Sequence, residues 1–102
     1  MTYKLGLSEP QVTEMAKILN DLKTERAQAA VDDRRTLTAF ADALTGEAFG
    51  EALADQGSEL RKKGAERLGQ AVVKALGRIH KLLDPEQRER LAHLIRTGTL
   101  LL

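Results

Sequence analysis

Cysteine and tryptophan are absent from this chain of 102 residues, which also holds only two prolines and three aromatic side chains, Tyr3, Phe40 and Phe49. Without cysteine there is no disulfide framework and no thiolate, and either the cytosol or a bacterial periplasm suits such a chain. A surplus of charge is missing too. Sixteen basic residues against fifteen acidic leave a formal charge of +1, so no overall field marks a nucleic-acid or anionic-membrane binder. No apolar run approaches the roughly 20 residues that cross a bilayer, and the first residues do not read as a signal peptide. Few aromatic and β-branched residues argue against strands.

What is present is the leucine, alanine, glutamate, lysine and arginine of long helices. The length fits one domain, 1–102, with a modest core. In Leu7-Ser8-Glu9-Pro10-Gln11, Ser8 stands at an N-cap and Gln11 follows at the spacing of a capping box. Pro10 sits in the first turn, where a missing N–H costs nothing, and Leu7 is placed to pack on Val12 as a hydrophobic staple. Val12, Met15, Leu19 and Leu22, then Leu37, Phe40, Ala41 and Leu44, recur at helical steps. They predict a first long helix over about 8–44, bent in its polar middle between Lys23 and Thr36. Thr45-Gly46 closes it, since glycine ends helices readily.

Phe49, Leu53, Leu60, Leu68, Val72, Leu76, Ile79 and Leu83 predict a second long helix over 47–83. Gly50, Gly57 and Gly64 fall seven apart on one stripe of it, and each glycine costs about 1 kcal/mol of helix propensity relative to alanine. Two readings follow: a neighbouring helix approaches closely there, or the helix begins weakly or with a kink between Phe49 and Ser58. Leu83-Asp84-Pro85-Glu86-Gln87 then opens a third helix over 85–97, with Asp84 as N-cap, Pro85 at N1 and Gln87 at N3. Leu91, Leu94 and Ile95 give it an apolar face and Gly98 ends it. The apolar tail Leu100-Leu101-Leu102 calls for a docking place or an interface.

The chain also repeats itself. Aligning Ser8 with Asp84 pairs Gln11 with Gln87, Met15 with Leu91, Ala16 with Ala92, and Ile18-Leu19 with Leu94-Ile95. Good helix starts resemble each other for capping reasons alone, yet the shared leucine before the cap and the shared glutamine exceed what capping requires. On these residues the chain resembles the Spy/CpxP family of bacterial periplasmic proteins, whose relatives include the zinc-binding ZraP and the heavy-metal sensor CnrX. That family carries two L-T-x-x-Q motifs near the ends of a helical hairpin. Leu7-Ser8…Gln11 and Leu83-Asp84…Gln87 stand at those places, with Ser and Asp where the family has Thr. The resemblance covers nearly the whole chain. It implies an all-α fold, a long bent helical hairpin with short capping helices, assembled as an antiparallel, cradle-shaped dimer in the periplasm. It also implies ATP-independent chaperone activity, envelope-stress signalling or metal sensing.

Catalysis finds little support. Ser8 is used as a cap, Ser58 lies in no strand–turn–helix elbow, and Gly64, Gly69 and Gly77 fall within helical periodicity rather than a phosphate loop. No cofactor is expected. For metal, Glu89 and His93 share a helix face at i, i+4 and His80 lies on the helix before, but a site needs a further ligand. The first helix has no histidine, so His80, Glu89 and His93 are weak candidates and Met15 reads as core. Lys63, Arg67, Lys74, Arg78 and Lys81 share one face of the second helix beside its apolar stripe. A solvated face is the plain reading; the resemblance suggests a surface for unfolded clients, with long stems adding apolar contact. Acidic neighbours and the lack of a helix-turn-helix pattern speak against nucleic acid.

The sequence therefore points to a non-enzymatic stress-response binding protein or chaperone of the Spy/CpxP type. Its partners are a second copy and unfolded or signalling proteins. The alternatives are a heavy-metal sensor of the CnrX/ZraP type and, third, a cytosolic helical adaptor.

Overall fold

The computed structural model describes residues 5–99, which form an all-helical, hairpin-like architecture with no strand among them. Three helices are defined: α1, Glu9–Thr45; α2, Glu51–Leu82; and α3, Pro85–Arg96. The Leu100–Leu102 tail lies outside the described residues. No helix is long and apolar enough among these residues to cross a membrane. The chain gathers into two compact units, each drawing on both long helices. The terminal unit takes the chain up to Leu22 and from Val72 onward; the middle unit is Lys23–Ala71.

The terminal unit holds the larger apolar side chains. Leu5, Met15, Ile18 and Leu22 are buried with Ala75, Ile79 and Leu83, and burying a side chain of Leu, Ile or Met size stabilises by about 1.5–3 kcal/mol. The 3-4 spacing of Met15, Ile18 and Leu22 puts them on one stripe of α1. Val12 and Leu19, one step out of that phase, are at the surface. Gly6 takes a left-handed φ of +66°, a conformation glycine adopts without steric cost. The α3 helix stops with Thr97 as C-cap and Gly98 at φ +75°, the common glycine ending.

The middle unit is built from small residues. Thr36, Ala39 and Ala43 are its buried side chains, and Gly57 of α2 is buried against Ala39 and Phe40. A Cβ on Gly57 would lie 2.8 Å from Cε1 of Phe40 and 3.2 Å from Cβ of Ala39. One on Gly50 would lie 3.1 Å from Cα of Ala43. Close approach thus accounts for Gly57 and Gly50, whereas a Cβ on Gly64 would meet Asp32 Cβ at an ordinary 3.6 Å; α2 runs unbroken through Gly57 and Gly64.

One expectation needs correction here. The second helix starts at Glu51 rather than 47, because Gly50 donates its N–H to the Ala43 carbonyl at 2.8 Å and so closes the turn that follows Thr45. Of the apolar residues that continue the periodicity of α1, Leu37 and Leu44 are exposed, while Thr36 and Ala43 are buried. Two helices this close leave room only for small side chains between them.

Candidate functional site

Both helix starts singled out in the sequence form reciprocal caps. The Ser8 hydroxyl accepts from the Gln11 N–H at 3.3 Å, and Gln11 Oε1 accepts from the Ser8 N–H at 2.9 Å. At α3 the Asp84 carboxylate accepts from the Gln87 N–H at 2.8 Å while Gln87 Oε1 accepts from the Asp84 N–H at 3.0 Å. These are two capping boxes of the same form. Leu83 is buried next to the second, and Leu7 is half-buried next to the first.

The two motifs also meet. Gln11 Nε2 donates to Gln87 Oε1 at 2.8 Å, and Gln87 Nε2 donates to Gln11 Oε1 at 3.0 Å. Each amide nitrogen makes a second bond, Gln11 to the Leu82 carbonyl at 2.9 Å and Gln87 to the Gly6 carbonyl at 3.0 Å. Leu82 stands two residues before Asp84, and Gly6 two residues before Ser8, so the network maps onto itself when the motifs exchange. Each amide thereby uses two donors and two acceptor directions, its full capacity. Gln87 is buried in this arrangement, and no buried side-chain polar atom among the described residues lacks a partner. The sequence repeat was visible beforehand; that its two glutamines bind each other was not.

The five basic residues separate into two kinds. Arg67 donates to Glu25 at 3.1 Å in the middle unit, and Arg78 donates to Asp21 at 2.8 Å in the terminal unit. Asp21 and Glu25 are four apart on α1, a signal of complementary charge that sequence reasoning passed over. Lys63, Lys74 and Lys81 are exposed and make no ion pair among the described residues. Elsewhere in the middle unit Arg61 bonds Asp33 at 3.2 Å and lies 5.5 Å above the Phe40 ring centroid, a cation–π distance.

Glu89 and His93 line one shallow groove on α3 together with Arg90, Leu94 and Thr99. The His80 carbonyl accepts from Arg88 Nε at 2.9 Å. No group of three His, Cys, Asp or Glu side chains comes together among the described residues in a way that could hold a metal ion.

The fold and these contacts define a class, an all-helical hairpin-like protein whose two helix-start motifs are joined by paired amides. Comparison with protein-family models, with curated proteins and with solved structures returns no match.

Proposed function

We propose that the chain is a periplasmic stress-response binding protein of the Spy/CpxP type. It acts as a homodimeric, ATP-independent chaperone that holds unfolded or partner proteins on its helical surfaces. One observation carries this reading. In Lys23–Ala71 no large apolar side chain is buried, while Val31, Leu37, Leu44, Phe49 and Leu53 are all exposed, Leu44 by 75% and Phe49 by 63%. A unit whose fully buried side chains are alanine and threonine, with Phe40, Leu60 and Leu68 only half-buried, gains less from apolar burial than the terminal unit. Its exposed large side chains are available to another molecule, a second copy or a client.

The paired motifs support the family part of the reading, since both L-x-x-x-Q elements serve one structure rather than two unrelated caps. Lys63, Lys74 and Lys81 supply cationic contact beside apolar surface; Val73, next to Lys74, is 69% exposed. Nothing in this reading calls for catalysis.

A client-aggregation assay without nucleotide tests it. Wild type should suppress aggregation, and Lys63→Glu/Lys74→Glu/Lys81→Glu should do so less well than wild type or a Lys62→Glu control. Absence of suppression by wild type at several-fold excess discards the chaperone reading.

A further inference from the structure

One groove of the middle unit, about 530 Å³, is lined by apolar Val31, Ala39, Leu53 and Leu60 and by polar residues that include Arg34 and Arg35. That volume lies in the range of pockets that seat a compact organic group. Arg34 and Arg35 are exposed and bond no carboxylate among the described residues. Asp42 also lines the groove, so two cations and one anion leave it positive by one charge.

The chain carries the complement of this groove at its own turn. In Glu47-Ala48-Phe49-Gly50-Glu51 a 63%-exposed phenylalanine stands between two acidic residues in sequence. Glu47 and Glu51 are exposed and have no cationic partner among the described residues. An aromatic side chain with an acidic residue two positions away on either side complements a groove lined by apolar side chains and two arginines, and charge complementarity sets which way such surfaces meet.

Resting on the homodimer of the proposed function, we infer that the groove is the seat for a second copy's turn. Phe49 of each copy enters the other's groove, and Glu47 and Glu51 meet Arg34 and Arg35. The contact is isologous: each copy offers the same turn and the same groove, so two contacts close the dimer and leave nothing open for a third copy. A single contact then accounts for an exposed phenyl ring, two unpaired carboxylates and two unpaired guanidiniums.

Sedimentation equilibrium of two charge variants tests this. In Arg34→Glu/Arg35→Glu the groove repels the acidic turn, and in Glu47→Arg/Glu51→Arg the turn repels the basic groove. Each alone should dimerise at least about tenfold more weakly than wild type, as like charges facing each other cost several kcal/mol. An equimolar mixture should recover dimers, because every contact in the mixed pair joins an acidic surface to a basic one. Recovery on mixing also shows that both variants are folded. If both variants dimerise like wild type, or if mixing recovers nothing, the turn-in-groove contact is overturned while a homodimer through another face stands. A wild type that stays monomeric at tens of micromolar removes the homodimer and this contact together.

Discussion

The side-chain amides of Gln11 and Gln87 exchange two hydrogen bonds, 2.8 and 3.0 Å long, across 76 positions of sequence. Each amide is at once the N3 partner of its own helix cap and the neighbour of the other's, so capping and tertiary closure share the same atoms. Losing either glutamine therefore does more than weaken a cap. Gln11→Ala leaves half of the Gln87 amide and the Leu82 carbonyl without their partner, and an unpaired buried polar group costs about 1–3 kcal/mol.

A double-mutant cycle checks this coupling. Gln11→Ala and Gln87→Ala should each lower stability, and the pair should cost less than the sum by about 1 kcal/mol or more, as expected for contacting residues. Strict additivity in urea denaturation would show that the amides do not depend on each other. Gln87→Glu should be no better tolerated than Gln87→Ala, because a carboxylate cannot donate to the Gly6 carbonyl or to Gln11 Oε1.

The caps themselves differ in strength. Asp84 accepts from Gln87 at 2.8 Å with an anionic side chain at a helix N-terminus, whereas Ser8 accepts from Gln11 at 3.3 Å. Charge-assisted bonds are the shorter and stronger kind, and an anion also favours the positive end of the helix. Asp84→Ala should then cost more, about 1–2 kcal/mol, than Ser8→Ala, at about 0.5 kcal/mol, within the range for lost caps. Thermal unfolding of the two variants would contradict this if Ser8→Ala melted lower.

Glycine substitutions should split by sign. On Gly57 a methyl group would meet the Phe40 ring at 2.8–2.9 Å, and overpacking of about 1–3 kcal/mol outweighs the gain in helix propensity. On Gly69 and Gly77 the same methyl meets nothing within 4 Å, so alanine there should stabilise by up to about 1 kcal/mol. A rise in melting temperature for Gly57→Ala would show that the helices do not pack as closely as the structure has them.

Helical class and the two caps were legible in the sequence because each rests on local chemistry; the glycine stripe left two readings open, and the contact of Gly57 with Ala39 and Phe40 of the other helix favours close approach. The phase of the inner stripe was not legible. The least exposed positions of α1 include Met15, Ile18, Leu22, Ala29, Thr36, Ala39 and Ala43, all on one three-four heptad progression. Following the largest side chains from Leu22 to Leu37 and Leu44 shifts that phase by one residue, since the middle unit turns its small residues inward and its large ones outward. The pairing within the basic row was not legible either, for a related reason. Residue type alone does not reveal that Asp21 and Glu25 of the other helix sit opposite Arg78 and Arg67.

That pairing separates paired from unpaired cations, and what each kind does can be measured. Arg67 and Arg78 each hold a carboxylate of α1 at partly exposed positions, where an ion pair stabilises by about 0–1 kcal/mol. Arg78→Glu sets a new anion beside Asp21, so it should lower the melting temperature. Lys63, Lys74 and Lys81 face no carboxylate among the described residues, so reversing them should leave helicity and melting temperature near wild type and reduce client capture. Capture by wild type should also weaken as salt screens charge beyond the ~8 Å Debye length of physiological solution. It should not vanish, because apolar contact with side chains such as Val73 is not screened. The lysine triple variant should show less salt dependence, having lost the charges that salt acts upon. Light-scattering aggregation assays from low to high salt, run on wild type, the triple variant and Arg78→Glu, distinguish the two groups. Equal salt dependence in wild type and the triple variant would remove the lysines from client binding. A fully stable Arg78→Glu would remove the arginine from the fold.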